Sequence, residues 1–322
     1  MDSTSSVADP TKRAFLSRAA TLATAVTLGG LTPPIAEAAQ DYYSNYYSTV
    51  IRPPQPASAL SSKIDNKIKY LRWNGKIAPN ERTAWLIYDF TSRQYLTTIN
   101  ASTPYQSASM IKPFIALAFF YKVLEGRLYY TPYQRAKMEA MIQYSDNSAT
   151  NYFIHLLNQT SRYNGPIEVE RTLRHYHPGI FRHIRIVERI PRGGRSYRNK
   201  ASALDYHRFL YALWYNQLPF SNELKRLMSL PNRDRVYTNA DGVARETWVF
   251  DKTGTTARLC GDMGILVAQG RNGGRYPYTF IGIIEKSQPT KNYQAWKNNR
   301  GDVIREISSI AYQHLRQMYN LV

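Results

Sequence analysis

The chain has 322 residues and a mass of 37.1 kDa, enough for one large domain or two modest ones. With 43% hydrophobic and 20% charged residues it can bury a core, and its 17 Gly and 17 Pro follow no recurring period, so wholesale disorder, collagen-like and repeat architectures are excluded. One cysteine, Cys260, rules out an intrachain disulfide and a Cys-rich metal site, while a formal charge of +19 favours an anionic neighbour: nucleic acid, anionic lipid or a cell-wall polymer.

In chain order, Lys12, Arg13 and Arg18 precede an apolar stretch over residues 19–31. As a helix it would span about 20 Å, too short for a bilayer core of roughly 30 Å. Pro33 and Pro34 close it, and Ala36 and Ala38 supply the small residues that a signal peptidase reads. Residues 1–38 are therefore expected to be a signal peptide, with Lys12-Arg13 resembling a twin-arginine signal whose first position is Lys. This leader holds three basic and three acidic residues, so the mature chain would keep the whole surplus of positive charge. An exported protein, periplasmic or secreted and with no transmembrane span after cleavage, is expected. Residues 39–58, rich in Tyr and Pro, read as an irregular leader.

From residue 59 to the end at 322 the patterns are those of a folded domain. Leu60, Ile64, Ile68 and Leu71 recur at helical spacing and predict a helix from about Ala59 to Trp73. Residues 83–88 and 94–99 are β-rich, with Thr91-Ser92-Arg93 as a turn. Residues 109–230 are mostly helical in pattern. Strands are expected again over 247–252, 264–268 and 278–284, with residues 269–274 as a hairpin connection. Val303, Ile307, Ala311 and Leu315 predict an amphipathic terminal helix. The fold class is thus α/β in the α+β sense: an antiparallel sheet flanked by N- and C-terminal helices, with a mostly helical subdomain at about 109–230.

Three short motifs carry the chemistry. Ser109-Met110-Ile111-Lys112 is followed by Pro113, which is tolerated only in the first turn of a helix, so a helix must start near Ser109. That places the hydroxyl near the positive end of a helix dipole with Lys112 three residues on, and a neutral lysine there would take the hydroxyl proton. Ser145-Asp146-Asn147 follows a helical stretch at 134–144, where Ser145 or Asp146 is also an ordinary cap. Lys252-Thr253-Gly254-Thr255 ends a strand. Each motif alone has a bland reading as a cap or a turn.

In the order Ser-x-x-Lys, Ser-Asp-Asn, Lys-Thr-Gly, the three together resemble the class A β-lactamases and penicillin-binding proteins. The resemblance implies a β-lactamase/DD-peptidase-like fold without a cofactor or metal. It implies Ser109 as nucleophile, Lys112 as its base, Ser145 as proton relay and Asn147 as a holder of the substrate amide. Lys252 would supply positive potential, Thr253 and Thr255 would bind the substrate carboxylate, and Gly254 would leave room for substrate. The N–H groups of Ser109 and Thr255 would form the oxyanion hole. The substrate implied is a β-lactam, hydrolysed through an acyl-enzyme, with a D-alanyl-D-alanine peptide of the cell wall as the alternative and a non-catalytic wall-binding module as a third reading.

Two departures from the family pattern stand out. Ser145 follows Ser109 by only 36 residues, fewer than the family's usual separation, so the cleft should be more open. Glu188 lies near the place of the glutamate that drives deacylation in class A enzymes, but the surrounding loop pattern differs, and Glu188 also reads as a surface partner of Arg189 or Arg192. Other candidates carry less. His175, His177 and His183 lie among Arg174, Arg182 and Arg185, which would repel a metal ion. The Arg/Tyr-rich tract at 182–198 fits a basic cleft rim facing anionic cell-wall polymer, and export argues against nucleic acid. Cys260 reads as a buried apolar residue, and the chain is expected to act as a monomer.

Overall fold

The computed structural model describes residues 58–191 and 197–322. The expected signal peptide lies outside the described residues. The elements run as helix α1 (Ala59–Trp73), strands β1 (Glu81–Asp89), β2 (Gln94–Ile99) and β3 (Tyr105–Gln106), a 3-10 turn (Ala108–Ile111), and helices α2 (Lys112–Leu124), α3 (Pro132–Ile142), α4 (Asn147–Gln159) and α5 (Gly165–Tyr176). Then follow β4 (Lys200–Ala201), α6 (Ala203–Trp214), α7 (Ser221–Met228), β5 (Trp248–Thr255), β6 (Leu259–Gln269), β7 (Arg275–Lys286) and α8 (Tyr293–Tyr319). This is an α+β fold: the terminal helices and an antiparallel sheet in the order β2-β1-β7-β6-β5, with a helical layer inserted between β3 and β5.

The two faces of the sheet take different partners because side chains alternate along each strand. Trp85, Ile87, Leu266 and Phe280 share one core with Leu60, Ile64, Ile68 and Leu71 of α1 and with Ile304, Ile307, Ala311 and Leu315 of α8. Tyr88 and Thr279 point the other way, to α6, where the His207 ring packs on Tyr88 and Nδ1 lies 3.1 Å from Thr279 Oγ1. Buried Glu81 ties α8 to β1, accepting hydrogen bonds from Trp296 Nε1 (2.6 Å) and Arg300 Nε (2.9 Å). The helical layer is built on α2, whose residues from Lys112 through Lys122 are all buried. A helix apolar on every side has to sit in the centre.

Strands β5, β6 and β7 run longer than the apolar runs alone predict. Asp251, Lys252 and Asp262 interrupt the apolar pattern, yet all are buried within the ladder. Asp146 caps α4, its side chain accepting from Ala149 N at 2.6 Å. The helix expected at 134–144 runs over Pro132–Ile142, started by Thr131 and Gln134 in a capping box. Among the described residues, no helix is long and apolar enough to cross a membrane.

Candidate active site

Ser109 sits on the 3-10 turn that leads into α2, and Pro113 falls in the first turn of that helix. The preceding residue, Ala108, has φ = 45°, a left-handed conformation uncommon for a side chain with a Cβ. Neighbouring backbone holds the turn in place. Tyr105 and Gln106 pair with Ala201 and Lys200, and Ser107 N donates to Asn199 O at 2.9 Å. Gln106 Nε2 donates to Tyr197 O at 3.0 Å, and the Tyr197 hydroxyl donates to Ala108 O at 2.8 Å.

Strand β5, at the edge of the sheet, packs against this turn. A Cβ on Gly254 would stand 2.9 Å from Met110 Cγ and 3.1 Å from Met110 N, and one on Gly261 2.8 Å from Met110 Cε. The role expected for Gly254 therefore changes. The space that its missing side chain leaves is filled by the serine turn itself, so glycine there lets that turn approach the edge strand. An edge strand leaves alternate N–H groups outside the ladder, and Thr255 at its end lines the same cleft as Ser109.

Lys112 is fully buried and joins two of the three motifs. Its Nζ donates to the Ser145 carbonyl, to Asn147 Oδ1 at 3.0 Å, and lies 3.2 Å from Ser145 Oγ. Burial pushes Lys112 down to about 6, with the nearby Lys252 ammonium adding to the effect and Asp146 opposing it. A neutral amine has two hydrogens and one lone pair. With the hydrogens given to the Ser145 carbonyl and Asn147, the lone pair is left for the Ser145 hydroxyl, the third oxygen around Nζ. Ser145 has φ = 58°, and this tight turn points both its carbonyl and its hydroxyl at Lys112.

The third motif rests on a buried charge cluster. Lys252 is buried and pushed down to about 8 by that burial, with Asp251 and Asp262 opposing the shift. Burial raises the Asp251 carboxyl well above its usual range and raises Asp262 to about 6. Arg235, which the sequence reading passed over, spans this region. Its backbone N donates to Asp262 Oδ2 (2.7 Å), one guanidinium nitrogen to Gly261 O (2.9 Å) and the other to Thr255 Oγ1 (2.7 Å). A fixed cation is thereby delivered to the end of the Lys-Thr-Gly strand, beside the threonine assigned to a carboxylate. No spacing signal in the loop before β5 marks it.

Between these motifs lies a cleft of about 410 Å³ lined by Ser109, Asn147, Ile190, Tyr197, Thr255 and Tyr293, among others. The loop entering it contributes Ile190 and Pro191. Asn151 clamps Ile190 at both ends of the residue, its Nδ2 donating to Ile190 O (3.0 Å) and its Oδ1 accepting from Ile190 N (2.9 Å). Asn151 follows Asn147 by four residues, hence on the same face of α4, a signal the sequence contains. Glu188 is placed elsewhere. Its carboxylate accepts from Arg198 N and Arg198 Nε, both at 2.7 Å, while Asn199 Oδ1 accepts from Val187 N and Glu188 N. Glu188 thus closes the neck of the loop instead of reaching into the cleft, and among the described residues the cation that holds it is Arg198 and not Arg189.

The other candidates fall into structural roles. His177 is buried, bonded to the Tyr121 hydroxyl, and burial pushes its ring down to about 3. Cys260 is buried under α8, which raises its thiol above the ordinary range. A larger hollow of about 570 Å³ lies between α2 and α5, but its lysine, Lys122, is held 3.0 Å from both Glu125 and Glu168.

Comparison with known proteins gives the same frame. Residues 133–315, more than half of the chain, match the sequence model of the beta-lactamase enzyme family, a stretch that starts after Ser109 and Lys112. The chain is similar in structure to PBP-A, with a TM-score of 0.65 at 21% identity over 83% of this chain and 99% of that one. A PBP-A mutant solved as an acyl-enzyme complex with penicillin G gives 0.64 at 20%, over 83% and 100%. An ancestral class A β-lactamase gives 0.61 at 18%, over 79% and 99% of the two chains, and a class A representative from Bacteroides cellulosilyticus gives 0.60 at 16%, over 80% and 99%. At these identities the structural likeness speaks for the fold. No curated protein sequence matches the chain.

Proposed function

The chain belongs to the beta-lactamase enzyme family, and from that premise we propose that it is a serine acyl-transfer enzyme of the penicillin-binding peptidase kind, slow to release its acyl-enzyme. In this reading Lys112, neutral at working pH, takes the proton from Ser109 as the hydroxyl attacks the substrate carbonyl. The oxyanion that forms is met by the N–H groups of Ser109 and Thr255. Ser145 passes a proton to the leaving nitrogen, Asn147 holds the amide, and Lys252, Arg235, Thr253 and Thr255 attract the carboxylate. The leaving group is a D-alanine, or the ring nitrogen of a β-lactam, which stays attached.

The observation that carries the choice is Ile190. Hydrolysis of the acyl-enzyme needs a water that some group deprotonates near the ester. The loop presents an aliphatic side chain to the cleft, with its backbone clamped by Asn151, and the loop's one carboxylate is engaged by Arg198. Rapid β-lactam hydrolysis, the leading expectation from the sequence, would need Glu188 to leave Arg198 and cross to Ser109. An exported protein with a net charge of +19 would meet D-alanyl-D-alanine ends in an anionic wall.

The test is covalent labelling. A penicillin should add its whole mass to the protein on Ser109, and wild type should release D-alanine from a peptide ending in D-alanyl-D-alanine. Ser109→Ala should lose both. An adduct that persists in Ser109→Ala would remove this serine from the chemistry.

A further inference from the structure

We propose that Tyr197 is a positioning residue for the oxyanion hole, acting through the Ala108–Ser109 peptide unit. The inference rests on the acyl-transfer reading above and deepens it.

Tyr197 is buried at the return of the loop, and its ring lines the cleft beside Ser109. Its hydroxyl donates to the Ala108 carbonyl at 2.8 Å. A phenol has one proton, so the 2.9 Å contact with Ser107 Oγ must be a hydrogen bond that Ser107 donates. The chain of donors therefore runs from Ser107 through Tyr197 to Ala108 O. A trans peptide is planar, with its C=O and N–H pointing in opposite directions. The N–H on the far side of this unit is that of Ser109, one of the two assigned to the developing oxyanion.

Fixing the carbonyl fixes the direction of the N–H. The bond to the carbonyl also polarises the peptide, which makes its N–H a better donor to negative charge. An anchor is needed at this position because Ala108 holds φ = 45°, and a residue with a Cβ leaves that region readily. The phenol keeps its proton at working pH, since burial raises it to about 12. Two further bonds from the same stretch, Gln106 Nε2 to Tyr197 O and Ser107 N to Asn199 O, secure the strand on which the turn is built but leave the Ala108 carbonyl alone.

The test is Tyr197→Phe, which keeps the ring and its packing and removes only the hydroxyl. The penicillin acylation rate constant should fall roughly fivefold to tenfold, the worth of one well-placed hydrogen bond. The half-saturating penicillin concentration should stay within about twofold, because the ground-state contacts are untouched. An arylboronic acid, which forms a tetrahedral adduct on serine with an oxygen in the oxyanion hole, should lose affinity by the same factor as the acylation rate. Ser107→Ala leaves the Tyr197 to Ala108 bond in place and should cost less than Tyr197→Phe in both readouts. Tyr197→Phe that acylates and binds boronate as wild type does, or that weakens penicillin saturation and boronate binding alike, would overturn the proposal. So would an equal loss in Ser107→Ala. Failure of wild type to acylate at all would instead sink the acyl-transfer reading, and this inference with it.

Discussion

At the scale of single residues, the proposed chemistry depends on one lysine being uncharged. Lys112 is buried, next to a second lysine, with one acidic group near enough to matter, and so it stands at about 6. Lys252, buried among Asp251 and Asp262, stands at about 8. Acylation of Ser109 should rise with pH along a limb centred near 6, as Lys112 loses its proton, and fall above about 8, as Lys252 loses its charge. Rates measured against pH at low penicillin concentration check this. A rising limb near 10, the place of an ordinary lysine, would contradict it. The sign for stability follows from the same shift. Between about 6 and 10.5 the unfolded chain binds a proton on Lys112 that the folded protein lacks, so this group makes stability rise with pH across that window.

At the scale of elements, the site is the meeting of one turn, one helix start and one edge strand. The motif residues themselves were legible, because Pro113 marks the start of α2, Asp146 caps α4, and Lys-Thr-Gly ends a β-rich run. The contacts between the elements were not. Gly254 shows why: its neighbours Ala108 and Met110 are about 145 residues away in sequence, and no local pattern reports the distance between a strand and a turn. Arg235 and Tyr197 were hidden for the same reason, as each bonds to a motif or its flank from another segment. Gly254→Ala would press a methyl group against Met110 N and Cγ. It should destabilise the fold by about 1–3 kcal/mol and slow acylation by displacing the serine turn. Denaturant unfolding and acylation rates measure the two effects. A variant as stable and as fast as wild type would mean that the turn and the strand are not in close contact.

At the scale of the whole molecule, chain topology brings both termini of the folded region to one face of the sheet and leaves the other face and the β5 edge to the helical layer. The helix periods of α1 and α8 and the β-rich runs made this much readable. The loop between α5 and α6 was the unreadable part, since it has no periodicity and its shape is set by side chains at its neck and base: Glu188 with Arg198, Asn199 with Val187 and Glu188, and Asn151 with Ile190. In the proposed reading, that loop decides between an enzyme that destroys penicillin and one that is trapped by it. The direct measurement is an intact-mass time course of the wild-type protein after a single equivalent of penicillin. This account predicts an adduct of full penicillin mass that forms on Ser109 and persists for hours. Return of the protein to its free mass within seconds, with hydrolysed penicillin released, would contradict it.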